Sequence, residues 1–259
     1  MKASSSRWRL YDELLESIPA TARVADFQVG ARWLMLESDS GGIGIAQRFP
    51  SESGVFDEFE EKLRLKGRSL REVASLMKSW NLQEAAVGMT ALNAACNTMT
   101  LVPQSPLREA VDKAKGCAFD MFLPRIKGKK VTVVGHFPHL DRLSAHCTLS
   151  ILERRPRSGD LPDMAAEYIL PEQDAVFITG TTFTNKTITR LLELTKGADV
   201  YMVGPSTPMN PLLFKHGVTS LSGLVVSDRA GVAEAIRTDC CEDIFRRGGV
   251  KVNMMREDA

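Results

Sequence analysis

The sequence predicts an α/β protein in two parts: a small α+β domain over residues 1–122 and a parallel-sheet domain over 123–259. Three observations predict it. Near the start, short apolar runs follow one another with only turn residues between them. An alanine-rich helical stretch comes next. From Lys130 onward strand, loop and helix alternate, and the strands are apolar throughout, as a parallel sheet covered on both faces requires.

Trp8, Tyr11, Leu15 and Ile18 recur at three- and four-residue spacing and predict a first helix ending near Pro19. Ala25, Phe27 and Val29 then alternate with polar neighbours, Trp33 to Leu36 is a compact apolar run, and Ile43 to Ala46 is a third. Gly30 and the Ser38-Asp39-Ser40-Gly41-Gly42 stretch separate them, so an antiparallel meander is expected. Ser69 with Glu72 forms a capping box for a helix through Lys78 that turns Leu70, Val73 and Met77 inward. Asn81 caps the next helix, Leu82 to about Thr98. Its small residues (Ala85, Ala86, Gly88, Ala91, Ala94, Ala95) make it thin enough for other backbone to approach, and Asn93 and Asn97 share one face. Pro103 and Pro106 interrupt the pattern before a helix from about Leu107 to Met121, and Pro124 with the basic run to Lys130 marks the boundary.

In the second part, strand-like runs end at Gly135, Glu153, Gly180, Gly204 and Ser227-Asp228, with a clear helix from near Asn185 that buries Ile188, Leu191 and Leu192. In an open parallel sheet, ligands bind beyond the carboxyl ends of the strands. That rule gathers Gly135-His136-Phe137-Pro138, Glu153, Thr181 to Asn185, and Gly204-Pro205-Ser206 into one region. Thr181, Thr182, Thr184 and Asn185 precede a helix start that could receive an anion, although a plain cap by Thr184 or Asn185 explains them too. Glu153 follows Gly135 by 18 residues, close to the spacing of a ribose-binding acid, with a salt bridge to Arg154, Arg155 or Arg157 as its structural alternative. The Gly-His-Phe-Pro turn lacks the further glycines of a dinucleotide loop, which argues against an NAD site.

Composition narrows the function. The 33 Lys and Arg against 32 Asp and Glu are balanced in both halves, which excludes a basic nucleic-acid groove. No stretch approaches the ~18 apolar residues of a membrane span, and the start lacks the apolar core of a signal peptide. Five cysteines, Cys96, Cys117, Cys147, Cys240 and Cys241, form no CxxC pair and read as reduced thiols in a cytoplasmic protein. His136, His139, His146 and Cys147 lie close together but match no established zinc spacing. His136 alone, at a strand end, is the candidate metal ligand or acid–base group. No serine-hydrolase elbow, phosphate-binding lysine loop or HExxH motif occurs.

Several stretches resemble one family. Ala86 to Asn97, with its NAxxN core, Val134-Gly135-His136-Phe137-Pro138, Leu170-Pro171 to Asn185, and Gly204-Pro205-Ser206 are similar to the motifs of the putative heavy-metal chelation family. The resemblance covers nearly the whole chain. It implies an amino-terminal domain like that of enolase, a Rossmann-like carboxyl-terminal domain and a cleft shared between them. His139, His146 and Cys147 fall outside those motifs.

The expectation is therefore a small polar or anionic metabolite, bound between the domains as a metal complex or corrinoid-type precursor. The sequence leaves the cofactor open, with a transition-metal ion or metal-bound metabolite as the candidate. Asn93 and Asn97 would orient the ligand, Phe137, Pro138, Glu153, Thr181, Thr182, Asn185, Gly204, Pro205 and Ser206 would line its site, and His136 would ligate or move a proton. Two readings stand beside it: an enzyme using a nucleotide or S-adenosylmethionine with Glu153 on the ribose, and a homo-oligomer using the same loops as an interface.

Overall fold

The computed structural model describes residues 7–49, 64–102, 118–238 and 243–258. The expectations for Pro103, Pro106, Cys117, Cys240 and Cys241 lie outside those residues.

The first helix is Arg9–Glu16, and its buried side is Leu10, Tyr11, Leu14 and Leu15. Three strands follow, β1 (Val24–Val29), β2 (Trp33–Ser38) and β3 (Ile43–Gln47), paired antiparallel in that order as the turn spacing required. Strand β2 is buried along its apolar length rather than on alternate residues, because each face of the meander has its own cover. Leu34 and Leu36 pack in one cluster with Ala91 and Ala94 of the alanine-rich helix. Trp33 and Met35 pack in another with Leu224, Val232 and Ile236 from the far end of the chain. At roughly 1.5–3 kcal/mol for each fully buried large apolar side chain, this double cover commits the meander to both neighbours.

Ser69 caps the short Leu70–Ala74 helix through Glu72 N–H, and a 3₁₀ turn, Ser75–Lys78, continues it. The Asn81 side chain accepts from the N–H groups of Gln83 and Glu84 and opens the Leu82–Cys96 helix. The helix lies directly on the meander. A Cβ at Gly44 would stand 2.0 Å from the Thr90 carbonyl oxygen, so only glycine allows the approach.

Helix Ala118–Ile126 carries Pro124 within it and packs Phe119, Phe122 and Ile126 against the second sheet. That sheet comprises β4 (Lys130–Val134), β5 (Thr148–Glu153), β6 (Leu161–Pro162), β7 (Ala175–Thr179), β8 (Asp199–Val203), β9 (Ser220–Val226) and β10 (Gly249–Met255). Their spatial order is β10-β9-β8-β7-β4-β5-β6, with every pair parallel except β9 with β10. From β4 the chain runs outward through β5 and β6, then returns to the other side of β4 at β7. The β4–β7 boundary is thus the switch point of a Rossmann-like sheet, the place where a crevice opens in such folds. Alternate residues serve opposite faces. Ala175 and Phe177 join the Phe119 cluster, whereas Val176 and Ile178 join the larger core shared with the amino-terminal part.

The structure adds two strands to the sequence reading, the two-residue β6 and the antiparallel edge strand β10, and begins two expected elements later. Cys147 precedes β5, with its thiol donating to the Leu143 carbonyl. The helix expected from Asn185 is Ile188–Leu194. No helix of the described residues is long and apolar enough to cross a membrane.

Candidate functional site

The site is set by how β4 and β5 end. Gly135 follows β4 with φ +102°, a left-handed conformation, and a Cβ there would come within 2.9 Å of the Thr179 methyl group. The glycine thus turns the chain off the sheet while letting the end of β7 stand beside it. At the end of β5, one carboxylate oxygen of Glu153 accepts from the His136 N–H (2.9 Å). The other accepts from the N–H groups of Arg154 (2.7 Å) and Arg155 (3.2 Å). Main-chain donors hold this acid, and the Arg154 side chain turns to Asp163 at 3.3 Å. Charge-assisted bonds of this kind fix the carboxylate before any ligand arrives.

The His136 ring adjoins the same strand end. Its Nδ1 lies 3.1 Å from Asp160, whose nearly buried carboxylate also accepts from the Arg157 N–H. With Nδ1–H donating to that carboxylate, Nε2 is the ring nitrogen left for a ligand or a proton.

Opposite, Thr181–Thr184 forms its own helical turn rather than the approach to a helix. Thr182 is buried and donates its hydroxyl to the Thr179 carbonyl (2.7 Å), and Thr181 shares a hydroxyl contact with Thr179 (3.1 Å). The Asn185 side-chain oxygen accepts from Thr187 N–H and hydroxyl (3.1 and 2.6 Å), so Asn185 organises the turn before Ile188.

Between these walls lies a cavity of about 340 Å³ at the carboxyl edge of β4, β5 and β7, a volume within the range of small-molecule sites. It brings together Gly135, Glu153, Thr181, Thr182 and Asn185. Its walls also include Thr179, Asp163, Glu167 and Arg190, which the sequence reading missed. Arg190 joins Glu167 through two bonds (2.8 and 2.6 Å) and Glu193 at 2.9 Å. The two carboxylates raise the arginine's already high pKa, and the arginine lowers that of Glu167. The signal in the sequence was the position of Arg190 one turn into the helix after Asn185; nothing local marked Glu167 as its partner.

The other expected site residues sit elsewhere. Phe137 packs edge-on against Phe119 at 5.3 Å and lies over Gly204, where a Cβ would meet its ring at 3.4 Å. Pro138 is exposed and Pro205 half-buried, and neither lines the cavity. Ser206 is buried, its hydroxyl accepting from the Gln47 N–H at 2.9 Å.

Asn93 and Asn97 correct the expectation of an open cleft. Both are buried at the junction of the two sheets. Asn93 Nδ2 donates to the carbonyls of Ile45 (2.8 Å) and Ser206 (3.2 Å). Asn97 Nδ2 donates to those of Thr207 (3.0 Å) and Leu224 (3.1 Å), and its Oδ1 accepts from Met209 N–H (2.9 Å). The amides face the Gly204 turn as the sequence reading placed them, yet they close the junction with main-chain groups rather than present donors to a hollow. Buried amides need partners, and here the backbone supplies them to all of both amides except the Asn93 Oδ1, which has none among the described residues.

Donors for a resident heavy metal do not converge: among the described residues no three His, Cys, Asp or Glu side chains form a group that could hold a metal ion. Cys96 lies beside Asn210, and burial pushes its thiol up to about 11, away from the thiolate a soft metal prefers.

Comparison with known proteins places this geometry. A solved protein of unknown function from the DUF364 family of Desulfitobacterium hafniense is 37% identical, with a TM-score of 0.81 over 96% of this chain and 98% of that one. A DUF364 protein of unknown function from Pyrococcus horikoshii, 21% identical, shares the fold with a TM-score of 0.74 over 96% and 99%. An uncharacterized protein of Methanocaldococcus jannaschii is 31% identical over 169 residues, which are 62% of this chain and 62% of that protein's length. Two family models, both described as putative heavy-metal chelation, match residues 11–96 and 117–255. Between them they take in the meander with its alanine-rich helix and the whole of the larger sheet, and the chain belongs to the putative heavy-metal chelation family.

Proposed function

We propose that the protein binds a small polar metabolite with hydroxyl donors and an anionic group in the cavity between Glu153 and the Thr181–Asn185 turn. The observation that carries this reading is the Glu153 carboxylate, oriented by three main-chain N–H groups at the mouth of a cavity on the switch point. Its remaining lone pair, on the oxygen that accepts from His136, suits a hydroxyl of a ligand. Thr181 and Asn185 offer further polar contacts across the cavity, and Arg190, whose charge Glu167 and Glu193 balance, keeps further N–H donors for an acidic group. His136, at the same strand end but not among the residues that line the cavity, is the group to move a proton or meet a bound metal through Nε2. In this reading metal enters as cargo already complexed by the metabolite.

A second reading takes the same Glu153 as a ribose acid for a nucleotide or S-adenosylmethionine, and the strand order favours it. The turn after β4 does not, because Phe137 fills the space beside Gly135 that a pyrophosphate would need.

Titration calorimetry with ferric citrate, adenosine and S-adenosylmethionine separates the two. Binding of the citrate complex favours the first reading and binding of either nucleoside the second. In either case Glu153→Gln is expected to weaken binding by about tenfold or more, the loss of one charge-assisted bond. Unchanged affinity in that variant would overturn the placement of the site.

A further inference from the structure

A second cavity, of about 330 Å³, lies on the other side of the Asn185–Arg190 segment, with Arg190 in the walls of both. Its walls are Trp8 and Tyr11 from the first helix, Trp80 from the turn before Asn81, and Arg7, Lys186 and Arg190 with Glu193. Trp80 is 78% exposed, an unusual place for the largest apolar side chain, and its ring stands 5.9 Å from that of Trp8 at 62°. Trp8 in turn rests edge-on against buried Tyr11 at 5.1 Å, so one wall is rigid and the other open. Lys186, held with φ +66° between Asn185 and Thr187, places its ammonium 5.9 Å from the Trp80 ring centroid and donates to the Thr184 carbonyl at 2.8 Å. Arg190 is balanced by its bonds to Glu167 and Glu193, which leaves Arg7 and Lys186, neither of them in an ion pair among the described residues, beside two indole rings.

We infer that this cavity is a binding site for a planar aromatic anion, the ring lying against Trp8 and Trp80 and its acidic group meeting Lys186 and Arg7. Two indole rings in edge contact with one another present flat apolar surface to a flat apolar ligand, and Arg7 and Lys186 favour an anion over a neutral ring or a cation. The site shares Arg190 with the cavity that holds Glu153, but its anion contacts, Lys186 and Arg7, are not among that cavity's walls. Charge on Lys186 sets a pH dependence. Burial pushes its ammonium down to about 8, with Glu84 acting the other way. The other ionisable groups around the cavity are Tyr11, Arg7, Arg190 and Glu193. Deprotonation of Lys186 removes positive charge, so anion affinity falls as the pH rises through that value.

Calorimetry with naphthalene-1-sulfonate, 1-naphthylmethanol and methanesulfonate tests the inference, since none of the three combines the hydroxyl and the acidic group proposed for the Glu153 site. The sulfonated ring is expected to bind about tenfold or more tighter than the alcohol, with no measurable binding of methanesulfonate. Trp80→Ala, at an exposed position that the fold does not need, is expected to weaken the sulfonate about tenfold, the scale of one lost stacking partner, while Trp80→Phe retains most of it. Lys186→Gln should bring sulfonate and alcohol close together, and Glu153→Gln should change neither. Absence of sulfonate binding, equal affinity for sulfonate and alcohol in the unaltered protein, or a Trp80→Ala variant that binds as before would each overturn the inference.

Discussion

Asn97 satisfies three main-chain groups that have no route to water: two carbonyls and the Met209 N–H. Replacing it by alanine strands the N–H and removes the donors of both carbonyls. Asn97→Ala is therefore expected to cost about 2–4 kcal/mol, read as a lower urea midpoint with an unchanged slope. Asn93 uses only its NH₂ group, and its Oδ1 is buried without a hydrogen-bond partner among the described residues, so Asn93→Ala should cost less than Asn97→Ala. The expectation that Asn93 orients a ligand gives way to a role in holding the junction of the two sheets. The sequence made two partner-hungry amides on one helix face legible. It could not reveal that their partners are carbonyls 48 to 127 residues away, because every residue offers the same carbonyl and only the tertiary fold selects one. Glu153 was easier to find, since its spacing from Gly135 reflects local strand–loop–strand geometry. Its main-chain donors, in contrast to the three arginines crowding it in sequence, became visible only in the structure.

Helix and strand contacts explain why some elements were readable and others not. The capping residues Ser69 and Asn81 act on N–H groups two or three positions away, so their signals are local and the helices begin where those residues stand. Strand β6 has two residues and no periodicity to detect. In β10 the buried polar Asn253 breaks the apolar pattern; its amide donates to Ser220, Leu221 and Ser222 across the ladder. The thin helix was legible from its alanines, and the matching Gly44 on the facing strand follows from it. Gly44→Ala should force β3 and the Leu82–Cys96 helix apart and lower the melting temperature more than a solvent-facing alanine substitution would, because the blocking atom is main chain and cannot turn aside.

The first helix also carries a pH-sensitive contact. Glu13 receives Arg9 and, at 2.7 Å, His216 from the short Leu212–Lys215 helix, and these partners hold its carboxyl below the usual range. A depressed folded-state pKa stabilises above the unfolded value, and that contribution disappears as the pH falls through the folded one. Glu13→Gln is expected to lower the melting temperature at neutral pH and to make no difference at a pH acid enough to protonate the carboxyl. A difference that persisted undiminished under acid conditions would mean that packing, not charge, joins these helices.

Across the whole molecule the two sheets are joined at several separate points. Tyr11 donates its hydroxyl to the Phe183 carbonyl, Gln28 to the Ala233 carbonyl, and Arg229 pairs with Asp26 and Glu37, in addition to the Asn93 and Asn97 bonds. The largest apolar cluster runs without interruption from Leu10 through the alanine-rich helix to Val252. Halves that share a core cannot open like a hinge without exposing it, and neither sheet can keep its inner face dry alone. Unfolding should accordingly be a single cooperative event, with the calorimetric and van't Hoff enthalpies equal and with fluorescence and circular dichroism reporting the same midpoint. Ligand at the Glu153 cavity, whose walls all come from residues 134–194, should raise that one midpoint as a whole. Two resolved transitions, or a ligand that shifted only one of them, would instead mean that the halves are separable and that the shared core contributes little to holding them together.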